Sequence, residues 1–142
     1  MELILTEKEC IAVNGKSVSA DEWLKTAKAD ETSAQIGMYL THNGVVRRSA
    51  KAKVRAGAED SKPVTGMQFG YNEEMVKSYA QEAIKMDGIY YIRLWLAEGK
   101  LSVGDDIMYV LIGGDIRPHV VDCLQTLVGN IKSYCVDEVE SY

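Results

Sequence analysis

Three cysteines, Cys10, Cys123 and Cys135, are an odd number without CxxC spacing. That argues against a disulfide framework and against a zinc site, and it suits a reducing cytoplasm. Long apolar runs are missing as well. There is no N-terminal apolar segment of the kind that directs export, and no run of about 18 apolar residues, so nothing points to a membrane span. Positive charge is in deficit: 16 Lys and Arg stand against 21 Asp and Glu, a formal net charge of -5, which argues against nonspecific nucleic-acid binding by the chain as a whole. Neither a Walker loop nor a GxGxxG fingerprint is present. Histidine is scarce, and its two copies make no metal constellation. His119 lies four residues before Cys123 on a helical stretch, but two positions are not a site, and His42 reads as a satisfied histidine within a strand.

What remains is ample for a folded core. The 142 residues, 46% hydrophobic and 26% charged, are of one-domain size and able to bury roughly 70% of their unfolded surface. No internal repeat or boundary divides residues 1–142. Residues 3–5 and 11–13 read as short strands on either side of a polar break, followed by an Asn14-Gly15 turn. Ser19 and Glu22 have capping-box spacing and open a helix whose buried side is Trp23, Leu24 and Ala27. A polar loop over 29–34 leads into a buried-looking strand over 37–47, in which Gly44 marks a bulge or a close backbone approach. A strand over 64–71 follows. Asn72 then caps a helix, with Glu73 and Glu74 in its first turn and Met75, Tyr79, Ala83 and Met86 on one face. Asp87-Gly88 stops that helix. Residues 89–96 are strongly strand-like, turns follow at 98–100 and 104–105, and 107–112 is another strand that Gly113-Gly114-Asp115 breaks. Pro118 opens a last helix with Val120, Leu124, Leu127 and Ile131 along one face, which Gly129-Asn130 ends before Lys132. The order predicts an α+β fold whose consecutive strands pair antiparallel.

Charge is unevenly spread. Residues 47–55 carry Arg47, Arg48, Lys51, Lys53 and Arg55 with no acid, whereas the tail after Lys132 has Asp137, Glu138 and Glu140 with no base. Residues 48–63, rich in Ala, Gly, Lys and Ser, read as a mobile loop, and loops of that length are more often functional than merely connecting. A strand that delivers Arg47 into such a loop can hold an anion at a fixed point; the plainer reading is a core strand with a solvated arginine at its exit. Arg117, at the start of the last helix, opposes the helix dipole there, which hints at another reason for its presence. Lys132, beside the apolar stripe, reads either as a base or nucleophile of lowered pKa or as a lysine snorkelling off a core helix.

Four motifs in register then resemble one family. Gly44-Val45-Val46-Arg47 is similar to a strand ending in Gly-x-Val-Arg. Tyr71-Asn72-Glu73-Glu74-Met75 is similar to the start of a middle helix, and Gly99-Lys100-Leu101 with Gly104-Asp105 to a Gly-x-Leu-x-x-Gly-(Asp/Glu) turn. Asp115-Ile116-Arg117 stands where Ala-His-Arg precedes a last helix. Together they resemble the large, catalytic subunit of molybdopterin synthase, the MoaE family. The resemblance implies an α/β-hammerhead-type α+β domain with mostly antiparallel sheet and about three helices. It implies a cytoplasmic homodimer in which each large subunit carries one small ubiquitin-like sulfur-carrier subunit with a C-terminal Gly-Gly, a heterotetramer overall. The activity it implies is molybdenum cofactor biosynthesis: sulfur passes from the thiocarboxylated carrier to cyclic pyranopterin monophosphate, making the molybdopterin dithiolene, with no cofactor or metal and no nucleic-acid or membrane partner. By position Lys132 would be catalytic, as general acid/base or transient covalent group, and Arg47, Arg48, Arg117 and Lys51 would bind the substrate's anionic groups. If 117–132 form one helix, its ends lie about 22 Å apart. Arg117 and Lys132 can then share a ligand only across two protomers. The sequence departs from the family in having Ile116 for the histidine and no second lysine after Lys132. The alternative reading is a non-catalytic dimer of the same family that binds a carrier protein or a phosphate-containing ligand.

Overall fold

A computed structural model describes residues 1–14, 18–49 and 63–142. Among them the chain runs β1 (Glu2–Leu5), β2 (Cys10–Ala12), α1 (Ala20–Ala29), a 3-10 turn (Glu31–Gln35), β3 (Met38–Val45), β4 (Gly66–Tyr71), α2 (Glu73–Ala83), β5 (Ile89–Leu96), β6 (Gly99–Ser102), β7 (Asp106–Gly114), α3 (Arg117–Asn130), a π-turn (Ile131–Cys135) and β8 (Val136–Ser141). Two antiparallel sheets result, one in the order β2-β1-β5-β7-β3 and one in the order β6-β4-β8. The α+β class, the mostly antiparallel sheet and the three α-helices agree with the expectation. Among the described residues no helix is long and apolar enough to cross a membrane.

Strands β5 and β7 lie inside the larger sheet because their near-continuous apolar runs suit burial on both faces. One face packs under α2 and α3, where Val76, Ala80, Val120, Leu127 and Ile131 meet Leu94, Val110 and Ile112. On the other, Trp23 and Ala27 of α1 cover Tyr91 and Leu111. Arg93 and Glu2 are held on this second face: Nε and Nη2 of Arg93 donate to Glu2 Oε2 at 3.0 and 2.7 Å, and the guanidinium lies 4.6 Å from the centre of the Trp23 ring. The Glu2 carboxylate is buried, so the two bonds from Arg93 stand in for its lost water, while the Trp23 ring backs the guanidinium.

Local chemistry sets the element ends. Ser19 accepts from the Glu22 N–H at 3.3 Å and Asn72 from the Met75 N–H at 3.1 Å, as the caps predict. Gly88 takes φ +75°, a conformation glycine reaches without the cost a side chain imposes.

Several expectations are corrected. The polar stretch after α1 folds into the 3-10 turn, in which Asp30 caps Thr32. Strand β3 is an edge strand, half-buried at best along its length, and it ends at Val45, short of Arg47. The buried face of α2 is Val76, Ala80 and Ala83, one step round from the face led by Met75, which is exposed. Gly113 and Gly114 continue β7 instead of breaking it. A Cβ on Gly114 would lie 2.6 Å from Val120 Cγ2 and 2.7 Å from the Gly88 carbonyl oxygen, so glycine is what lets α3 settle on the sheet. Strands β6 and β8 were not expected at all, and they complete the second sheet around β4.

Candidate functional site

Between Gly44 and Val45 the register against β7 slips: Gly44 faces Met108 and Val45 faces Asp106. This is the bulge that Gly44 predicted. The slip turns Val46 inward, 2% exposed, where its N–H donates to the Asp105 carbonyl at 2.9 Å and its carbonyl accepts from the Gly104 N–H at 2.8 Å. With Val46 pinned, Arg47 leaves the sheet at a fixed point, and its Nε donates to the Ser49 carbonyl at 3.1 Å. The Val64 N–H donates to the Arg48 carbonyl at 2.7 Å, so the chain on either side of the basic tract is tied together.

Lys132 reaches the same place from the other end of the sequence. It sits in the π-turn between Ile131 and Cys135, both buried, and the anchors hold the turn while the lysine projects from it. Arg47 and Lys132 line one cleft, with Gly44, Met67 and Met108 beneath and Glu138 and Glu140 of β8 opposite. The cleft measures about 60 Å³. That is room for a few waters and far below the roughly 300 Å³ at which small-molecule sites begin. Any larger ligand needs additional walls or an opening of this one.

His42 lies two residues before Gly44 on the same face of β3. Its Nε2 is buried and has no hydrogen-bond partner among the described residues, against the reading of a satisfied histidine. Burial, and then the charge of Lys132, push its pKa below the ordinary value, so the ring stays neutral at pH 7.

The other predicted positions divide. Arg117 is the first residue of α3, exposed, and about 22 Å along the helix from Lys132; it does not line this cleft. Arg48 flanks the cleft without lining it. Lys51, and the mobile loop expected over 48–63 apart from its ends, lie outside the described residues. His119 and Cys123 share no ligand. Nδ1 of His119 lies 2.7 Å from Asp115 Oδ1, a contact that holds the Asp115 carboxyl below its usual range. Cys123 is fully buried with its Sγ on the Ala83 carbonyl at 3.7 Å, and burial pushes its thiol up to about 12. Among the described residues no group of three or more His, Cys, Asp or Glu is placed to hold a metal ion.

Glu138 and Glu140 stand out in the sequence as part of the acidic tail after Lys132, but their place in the cleft is not assigned there. The tail carries no apolar alternation to give their direction: Val139 is 62% exposed while the glutamates on either side of it are half-buried.

A five-stranded antiparallel sheet with helices on both faces, joined to a separate three-stranded sheet, defines the class as an α+β protein of the architecture seen in molybdopterin synthases. The chain belongs to the MoaE protein family, which matches residues 15–134. Solved structures agree on the fold. Molybdopterin synthase from Staphylococcus aureus is similar with a TM-score of 0.66 at 14% identity, over 89% of this chain and 87% of that one. The MoaE protein from Burkholderia ambifaria gives 0.64 at 16% identity, over 89% and 81%. A complex of subunits 1 and 2 of the molybdopterin-converting factor from Helicobacter pylori gives 0.62 at 14% identity, over 87% and 79%. No curated protein matches the sequence.

Proposed function

We propose that this chain is the large subunit of a molybdopterin synthase, acting in molybdenum cofactor biosynthesis by passing sulfur from a thiocarboxylated small carrier to cyclic pyranopterin monophosphate. The observation that carries the proposal is the meeting of Arg47 and Lys132 in one cleft. An arginine fork suits an oxyanion such as a phosphate or a carboxylate, and a lysine beside it can move a proton or form a transient covalent bond. Lys132 is the catalytic group in this reading, and Arg47 anchors the anion with Arg48 and Lys51 in support. The small carrier, with its Gly-Gly end, is the partner; the Helicobacter pylori complex, which holds two subunits, supports that pairing by likeness of fold.

The small size of the cleft supports a second element of the proposal, a homodimer. A pterin does not fit in about 60 Å³, and Arg117 stands a helix length away. A partner protomer that brings its own Arg117 to this cleft would add both a wall and a second guanidinium. The protein needs no resident cofactor in this reading.

A non-catalytic reading is favoured by one observation, the two carboxylates of β8 in the cleft. In that case the dimer binds a carrier or a phosphate-bearing ligand without turnover. Incubating the protein with thiocarboxylated carrier and the pyranopterin precursor separates the two: dithiolene formation supports the synthase, and carrier binding without product supports the binding module.

A further inference from the structure

His42 is the polar group beside the cleft that the proposed reaction leaves without a part. Residues 42 and 44 of β3 share a face of the strand, and Gly44 lines the cleft. A Cβ on Gly44 would lie 3.9 Å from His42 Nε2 and 3.7 Å from Met108 Cβ, so Nε2 borders the bare patch that the glycine leaves in the cleft wall. That nitrogen is buried and has no hydrogen-bond partner among the described residues. An unmade hydrogen bond in the interior is costly, and a bound group that supplied it would recover the cost. The charged groups of the cleft are Arg47, Lys132, Glu138 and Glu140, and of these Lys132 acts on the ring. On β7 the ring's neighbours are Val110, its paired residue, and Met108, neither of which carries charge. Helix α3 also packs on β3; of its titratable groups, His119 is bonded to Asp115, Cys123 rests on the Ala83 carbonyl, and Arg117 and Asp122 are exposed.

We propose that His42 is a conditional third cation of the anion site: a phosphate- or sulfate-type oxyanion seated against Arg47 and Lys132 draws a proton from solvent onto the ring, whose Nε2–H then donates to it. The inference rests on the reading of the cleft as an anion site. While the Lys132 charge stands unopposed, it disfavours a second positive charge on His42. An anion beside Lys132 offsets that charge, and the offset grows with the charge of the anion. The same anion offers the buried Nε2 the acceptor it lacks. Binding and protonation therefore help each other, and by linkage each strengthens the other by the same factor.

The chain has two histidines, His42 and His119, so both ring titrations can be followed by NMR in the unaltered protein, with H119Q to assign them. Sulfate is the probe, at constant ionic strength made up with chloride, because it stays doubly charged across the histidine range and takes up no proton itself. Saturating sulfate is expected to raise the His42 midpoint by about one pH unit, which corresponds to about tenfold tighter sulfate binding by the protonated ring. The His119 midpoint is expected to move by no more than about 0.2. H42Q is expected to remove the pH dependence of sulfate affinity in this range, a dependence that a merely structural ring would not create. An unmoved His42 midpoint, with sulfate binding still weakened by R47A and K132A, would overturn the role of His42 and leave the anion site standing. Equal movement of both midpoints would reduce the effect to net charge and overturn that role too. Sulfate binding that ignores R47A and K132A, or no binding at all, would overturn the anion site and the role of His42 with it.

Discussion

Arg47 and Lys132 converge because each is fixed by a buried neighbour, Val46 for one and Ile131 with Cys135 for the other. Lys132 also acts on His42 of β3, a neutral imidazole with a buried Nε2 that has no partner among the described residues. Its lowered pKa has a measurable consequence. As pH falls through the ordinary histidine range near 6.5, the unfolded chain takes up a proton before the folded one does. Stability therefore drops below about pH 6.5 and levels off once the folded ring is protonated too. His42→Phe is expected to flatten that part of the profile in scanning calorimetry; a profile identical to that of the unaltered protein would show that the ring titrates normally. At this scale the sequence was legible for the bulge at Gly44 that precedes Arg47, and Arg47 and Lys132, both singled out by motif, line one cleft. It was not legible for Glu138 and Glu140, whose direction depends on the register of a strand that the sequence did not announce.

The elements repeat that division. The β5 strand was legible from end to end, since Ile, Leu, Tyr and Trp in a run interrupted only by Arg93 fit a doubly covered strand. The caps at Ser19 and Asn72 were legible because they are local hydrogen bonds; replacing Asn72 by Ala is expected to cost about 1 kcal/mol, read from denaturant midpoints. Gly113 and Gly114 were read as a break because strands are poor in glycine, and the close seat of α3 that requires them is a tertiary fact. Gly114→Ala is accordingly expected to destabilise by about 1–3 kcal/mol, since its Cβ would collide with Val120 and the Gly88 carbonyl. Gly129, in the same helix, has nothing within 4 Å of a Cβ, and Gly129→Ala is expected to stabilise by about 0.5–1 kcal/mol. Destabilisation by Gly129→Ala, or no loss of stability from Gly114→Ala, would contradict the packing described for α3. Short β6 and the inverted β8 were missed because neither has a hydrophobic pattern of its own; both are strands through pairing with β4.

For the whole molecule, the helix that separates Arg117 from Lys132 means that the proposed site can include both residues only if the proposed homodimer forms. In a symmetric dimer each protomer would then lend Arg117 to its partner's Lys132. Two variants, Arg117→Ala and Lys132→Ala, each inactive alone, are expected to recover roughly a quarter of full activity when mixed and allowed to exchange subunits, because half the dimers are mixed and each of these keeps one intact site. No recovery despite exchange would place both residues in the same protomer's site or outside the site altogether. The α+β class was legible from the order of elements, and the family from four motifs in register. The division into two sheets was not, because it turns on two strands without patterns. The most direct measurement is conversion of the pyranopterin precursor by thiocarboxylated carrier, run with the unaltered protein beside Lys132→Ala. The account predicts dithiolene formation that collapses in the variant although the carrier still binds. Equal product from both proteins would contradict the role of Lys132, and carrier binding without product from either would contradict the synthase itself.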